Sequence, residues 1–457
     1  MKVKKRIRYL ITFLILVFIS SILLFGCIPK VTELEEEVTC IITASAGDGG
    51  TISEPGVTTI NEGDSKSYTI TSDEGYIVSN VLVNGISEGE LSSYTFTDVN
   101  SDQTIEAIFA LTYNVTAKDK VIISQPSVCF ITTYYYAYVY NPNTASWSEL
   151  YYYGPTGGTG FCVNPDTGHI FTAGHVIDVS HDDIKWAILD LYIFEYYPDE
   201  YYDLTDGEWN WIFDNYKVEG ETRPDPDREV WVQFNTASAG LPDSPDETYI
   251  RAEVIDFSPW EQRDIAVLKI TPVTGRALSS TILGDSSMIE VQDSITITGY
   301  PWNADISWES IMTPSIATGT ISARKMVGGT EVLQVDMTAA PGNSGSPVLS
   351  EDGEVIGMLT MGMSENVNFL RPSNDIKGML NKNGVVNKLG IVDEEFKQGL
   401  VMYRLKHYSE AIDHFNAVIN LSQGHLLAQE YRAKSQEAIN RDEDIPLKEG
   451  TEINIIE

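Results

Sequence analysis

The chain has 457 residues, enough for about three domains on the usual size scale. Its formal net charge is −36, and setting aside five of its 30 bases (Lys2, Lys4, Lys5, Arg6 and Arg8) leaves 25 against 66 acids, a balance of −41. Such a surface repels phosphate backbones, which argues against nucleic acid as a partner and suits an exported protein kept soluble by charge.

The first residues are basic and the stretch from Leu10 to Gly26 is almost wholly apolar, which predicts an export signal or an anchor helix over residues 1–27. Leu24-Phe25-Gly26-Cys27 closes it, and residues 28–39 are polar and acidic, as a linker between membrane and first domain should be. The tetrapeptide resembles the bacterial lipobox, which implies that Cys27 receives a diacylglyceryl group and becomes the mature terminus. The alternative is a single membrane-spanning helix. Either reading places the remainder outside the cytoplasm, tethered to the cell envelope.

From residue 40 to residue 110 short alternating runs such as Ser67-Tyr68-Thr69-Ile70 and Ser93-Tyr94-Thr95-Phe96 are separated by Gly-Asp, Glu-Gly and Asn-Gly turns, which predicts a small all-β module. The segment resembles bacterial surface repeats related to the internalin B-repeat, which implies a spacer or an adhesive stalk. Besides Cys27 the cysteines are Cys40, Cys129 and Cys162, so at most one disulfide can form. Spacing does not choose the pair, and buried free thiols fit equally well.

Residues 112–392 are again rich in strand-like runs, interrupted at about 182–217 by a stretch dense in aromatics and acids. That stretch reads as an insertion, either a lid or wall over a groove or packing on the outside of the domain. Over 393–442 the residues Phe396, Gly399, Leu400, Tyr403, Tyr408, Ala411, Phe415 and Val418 recur at helix spacing. These helices resemble a tetratricopeptide repeat, with Gly399, Ala411 and Phe415 in its small and aromatic packing slots and Ala433 in the next small slot. A repeat and a half cannot bury its apolar face by stacking, so it must pack on the neighbouring domain, on a protein partner or on a second copy. Residues 443–457 read as an acidic tail.

Three segments carry chemistry: Thr172-Ala173-Gly174-His175-Val176, preceded by Gly157-Gly158-Thr159-Gly160; Arg263-Asp264-Ile265-Ala266-Val267-Leu268; and Pro341-Gly342-Asn343-Ser344-Gly345-Ser346-Pro347. A serine hydroxyl attacks at neutral pH only if a base takes its proton, an imidazole titrates in the right range, and a carboxylate must hold that ring in one tautomer. Ser344, His175 and Asp264 are therefore the candidate nucleophile, base and orienting acid. The backbone N–H groups of Gly342 and Ser344 are the candidate oxyanion donors. No HExxH or paired CxxC is present, so metal catalysis is not supported, and no cofactor is expected.

Together these segments resemble the trypsin-like serine peptidase superfamily. The resemblance implies a mainly β protein whose catalytic domain is two six-stranded antiparallel β-barrels, preceded by the all-β module and followed by the helices. Gly-Asn-Ser-Gly-Ser-Pro and the later Asn-Phe-Leu-Arg-Pro-Ser-Asn resemble the HtrA and glutamyl endopeptidase branches. No PDZ-like segment follows, which puts an HtrA-like cage in doubt. Asn343 has no charge to receive a newly cut amine, so no zymogen cleavage is expected. By the same resemblance Thr338, Leu359, Thr360 and Gly362 line the substrate pocket. Trypsins carry Asp where Thr338 stands and glutamyl endopeptidases carry His where Leu359 stands. Cleavage of protein or peptide substrates after small or medium apolar residues is expected. The alternative is a surface adhesion or scaffold protein in which the protease fold is secondary.

Overall fold

The computed structural model describes residues 38–222, 224–234, 237–238, 249–301, 311–364, 367–448 and 451–456, and the leader with Cys27 lies outside them. The chain divides after Leu111 into two units. In the first, strand Thr39–Ala46 shows how alternation becomes structure: Cys40, Ile42 and Ala44 are buried while the residues between them face water. Its sheet continues through Gly56–Asn61 on one side and Gln103–Asn114, Tyr76–Val83 and Ile86–Ser87 on the other. A three-stranded sheet of Gly50–Ile52, Lys66–Ser72 and Ser93–Phe96 adds Ile52, Tyr68, Ile70 and Phe96 to the same core.

The second unit is built on two closed six-stranded antiparallel barrels. The strands of the first are β1 (Val128–Asn141), β2 (Ser146–Asn164), β3 (His169–Thr172), β4 (Asp227–Phe234), β5 (Tyr249–Ser258) and β6 (Ile265–Lys269). They run β2-β3-β6-β5-β4-β1, and β1 pairs back onto β2 to close the ring. The strands of the second are β7 (Ser294–Gly299), β8 (Ser315–Val327), β9 (Thr330–Asp336), β10 (Pro347–Leu349), β11 (Val355–Ser364) and β12 (Val367–Pro372), in the order β7-β8-β9-β12-β11-β10. The unbroken apolar run Ile265 to Leu268 is buried along its whole length, sharing a core with Ile376, Met379 and Leu380 of helix α4 (Ser373–Lys382). Cys40, Cys129 and Cys162 are all buried free thiols.

Three elements go beyond what the sequence suggested. The second unit opens with helix α1 (Ala117–Ser124), started by a capping box in which Thr116 and Asp119 satisfy each other's backbone N–H groups. The insertion is helical, with α2 (His181–Tyr196) and α3 (Asp206–Asn215). Its buried side, with Ile184, Ile188, Tyr192 and Ile212, packs on Tyr135, Ala137, Val139 and Tyr151, where β1 and β2 run on beyond the barrel as a hairpin. The acidic tail contains a strand, Glu452–Ile456, whose Ile456 carbonyl accepts from Val115 N–H.

Helices α5 (Ile391–Arg404), α6 (Tyr408–Leu421) and α7 (Leu426–Asn440) stack with Gly399 against the Phe415 ring, where a Cβ would come within 2.7 Å. Their core also takes in Ile122, Ile123 and Ala277, so the helices pack on the catalytic unit itself. Arg404 Nε donates to Asp119 Oδ1 at 2.8 Å, and Asp393 accepts from Ser280 N and Oγ. On α7 the residues facing away from this core, among them Glu430, Arg432, Lys434 and Glu437, are exposed and polar.

His425 caps α7 through Nδ1, which accepts from Ala428 N–H, and its ring lies 4.7 Å from that of Phe396. Burial drops its pKa to about 4. The unfolded chain takes up a proton near the usual imidazole value and the folded one does not until about pH 4, so this contribution is full above that usual value and lost as pH falls. Asp393, which burial raises to about 6, acts with the opposite sign. His425→Asn keeps a capping acceptor without the titration. Between pH 7 and pH 4 the parent is therefore expected to lose on the order of 3 kcal/mol more stability than His425→Asn, measured by denaturant unfolding followed by helical circular dichroism.

Candidate active site

His175 stands on the one-turn helix Gly174–Ile177 that follows β3. Asp264 ends the tight connection from β5 to β6, where its N–H donates to Pro259 O at 3.0 Å and its backbone adopts φ 53°, a left-handed conformation that aspartate tolerates. The two meet directly. Asp264 Oδ1 accepts from His175 N–H at 2.9 Å, and Oδ2 lies 2.9 Å from His175 Nδ1. An ionised carboxylate only accepts, so this contact fixes the proton on Nδ1 and leaves Nε2 as a free base. Asp264 is buried, and a Cβ on Gly174 would lie 2.4 Å from Ser258 O and 3.2 Å from Asp264 Oδ1. Only glycine lets the histidine turn come this close to the β5–β6 connection. On the outer side the Trp260 ring meets the His175 ring edge-on at 5.5 Å.

Ser344 lies between β9 and β10. Asn343 N–H donates to Ala340 O at 3.1 Å, with Pro341 and Gly342 as the central residues and Gly342 at φ 97°, the pattern of a type II turn that requires glycine in its third place. Among the described residues no acceptor receives the N–H of Gly342 or of Ser344. Asn343 is buried, its Oδ1 close against Gly299. No hydrogen bond joins Ser344 Oγ to His175 among the described residues. Such contacts are commonly long in free enzymes and tighten when substrate binds.

Thr159, fully buried on β2, had no assigned role in the sequence. Its N–H donates to Ser344 O at 2.8 Å and its Oγ1 donates to Gly342 O at 2.8 Å, while Oγ1 accepts from Tyr300 N–H at 2.9 Å. Its carbonyl accepts from Thr172 Oγ1, just ahead of the histidine turn. The one signal for it was a lone hydroxyl inside Gly157-Gly158-Thr159-Gly160.

The expected pocket residues are spread along the second barrel. Thr338 is exposed; Leu359 is buried within the barrel core; Thr360 is buried with its Oγ1 donating to Phe369 O at 3.5 Å; Gly362 pairs with Asn368 across β11 and β12. Asn368, which the sequence did not single out, is buried and ties the strands together by donating from Nδ2 to Met337 O at 2.7 Å.

Residues 158–358 match the family described as Trypsin-like peptidase domain. This part of the chain is a trypsin-like peptidase domain. Over 123 residues the chain is 34% identical to Serine protease Do-like HtrA of Bacillus subtilis (strain 168), covering 25% of this chain and 26% of that protein. It is 29% identical over 154 residues to Magnetosome formation protease MamE of Paramagnetospirillum magneticum (strain ATCC 700264 / AMB-1), covering 31% and 20% respectively. It is also 29% identical over 169 residues to Probable periplasmic serine endoprotease DegP-like of Pseudomonas putida (strain W619), covering 34% and 33%. The chain thus spans between 20% and 33% of the length of these relatives.

Thr159→Val keeps the shape of the side chain and removes its hydroxyl, leaving the buried Tyr300 N–H and Gly342 O without their partner. The expected cost is about 1–3 kcal/mol of stability, against under about 1 kcal/mol for Thr159→Ser, measured by thermal denaturation.

Proposed function

We propose that this chain is a serine endopeptidase that cleaves protein or peptide substrates outside the cytoplasm while tethered to the cell envelope. The observation that carries the reading is the Asp264–His175 contact, with Ser344 just after a turn where, among the described residues, the N–H groups of Gly342 and Ser344 have no acceptor. In this reading His175 Nε2 takes the Ser344 hydroxyl proton as Oγ attacks the peptide carbonyl, and Asp264 stabilises the imidazolium that forms. Gly342 and Ser344 N–H groups receive the oxyanion. The imidazolium then protonates the departing amine, leaving an acyl-serine that water hydrolyses with the same histidine as base.

Thr338, the exposed one of the expected pocket residues, carries no charge, which supports cleavage after small or medium apolar residues. The envelope location draws support from the word periplasmic in the name of the Pseudomonas putida relative and from the apolar leader of this chain. Among the described residues no helix is long and apolar enough to cross a membrane; in this reading the tether is the apolar leader with Cys27, which lies outside them.

Ser344→Ala is expected to keep the circular dichroism spectrum and to lose peptide hydrolysis by roughly 10⁶-fold, together with labelling by a fluorophosphonate probe. Undiminished labelling would reject Ser344 as nucleophile. A peptide library read by mass spectrometry should show apolar residues on the acyl side of the cut, and dominant Lys, Arg or Glu there would reject the pocket reading. Mass spectrometry of the protein from membranes should show cleavage before Cys27 and a diacylglyceryl adduct, whereas an intact Met1 would favour the spanning helix.

A further inference from the structure

The aromatic insertion does more than cover the β1–β2 hairpin. Between α2 and α3 it leaves a cavity of about 290 Å³, walled by Tyr197, Trp211, Ile212 and Tyr216 and rimmed by Glu200 and Glu208. The Trp211 and Tyr216 rings stand at 80° with centroids 6.3 Å apart, two sides of a corner. Tyr197 is held in place from β1, where Asn141 Nδ2 donates to its hydroxyl at 3.0 Å. Trp211 remains 47% exposed, although an indole of this size is ordinarily packed away.

The charges at the rim are equally specific. Glu208 Oε2 accepts from Thr205 N at 2.9 Å and Oγ1 at 2.7 Å, which pins one negative charge at the start of α3. Among the described residues neither Glu208 nor Glu200 is ion-paired, and no Lys or Arg lines the cavity. Aromatic faces and carboxylates all present negative potential, so an anion is repelled. A neutral apolar group would fill the walls and strip water from two charges without replacing it. A cation on an apolar stem satisfies both. Of the two basic side chains, the guanidinium is planar and weakly hydrated, stacks on aromatic rings and forks onto carboxylates, whereas an ammonium is compact and keeps its water.

We propose that this cavity is an exosite for an arginine side chain of the polypeptide substrate. It rests on the proteolytic reading only for the identity of the polypeptide, since binding of the guanidinium stands without turnover. α2 begins at His181, shortly after His175, so a substrate held here is held by the same body that carries the base.

The test uses the full chain carrying Ser344→Ala, titrated with N-acetyl-arginine N-methylamide while the Trp211 indole N–H resonance is followed by NMR, its assignment taken from its loss in Trp211→Phe. A saturable shift with Kd on the order of 1–10 mM is expected, weakened by Glu200→Gln at its exposed rim position, with no shift from the uncharged citrulline analogue. Absence of a shift, or an equal one from citrulline, overturns the site. A tighter response to the lysine analogue or to tetramethylammonium overturns the choice of guanidinium. In the chain with Ser344 intact, Trp211→Ala and Glu200→Gln should each raise KM for an arginine-containing protein about fivefold while leaving a short chromogenic peptide unchanged. Equal losses on both substrates overturn the exosite role. Because the titration needs no hydrolysis, its failure and failure of the Ser344 assignment are separate results.

Discussion

A buried threonine ties the two barrels together at the catalytic serine turn. His175 and Asp264 belong to the first barrel and Ser344 to the second, so their encounter depends on how the barrels meet. Thr159 is on β2 of the first, yet its N–H and hydroxyl hold the carbonyls of Ser344 and Gly342 at 2.8 Å each, and the Tyr300 N–H from the second barrel closes on the same hydroxyl. With the carbonyls of Gly342 and Ser344 held, the peptide planes that follow them are fixed, their N–H groups, of Asn343 and Gly345, donate to Ala340 O and Leu359 O, and the backbone is held on both sides of the Ser344 N–H. A buried polar side chain is tolerated only when its partners are met, and here meeting them orders the cleft.

The same reasoning links Asp264 to the rest. A buried carboxylate beside an apolar strand would be costly alone, and it is stabilised by two donors from one residue, the His175 backbone and ring. That double contact requires the bare Cα of Gly174. Local backbone, burial and the orientation of the base are therefore one constraint viewed at three scales.

Much of this was legible in the sequence because it is local. The alternation Cys40, Ile42, Ala44 reads directly as a half-buried strand, and the continuous run Ile265 to Leu268 as a strand covered on both faces. The segments around His175, Asp264 and Ser344 announce themselves because each chemistry needs particular neighbours. The insertion did not read as helix because α2 carries Leu191 and Phe194 outward as well as Ile188 and Tyr192 inward, which blurs the 3.6-residue period. Thr159 was illegible for another reason: its partners Gly342, Ser344 and Tyr300 are far away in the chain, and nothing near it signals them. The strand at Glu452–Ile456 was hidden by acids on either side, although Ile453 belongs to the helical core.

The pairing of Val115 with Ile456 has a mechanical meaning. The chain enters the catalytic unit and finishes its last strand at the same place, so a pull applied through the residues before Thr112 arrives at one spot. From there the load passes into α1, which Asp119 clamps to Arg404 and which buries Ile122 and Ile123 among the C-terminal helices. A load arriving there meets the helical pack beside the barrels before it reaches the cleft between them.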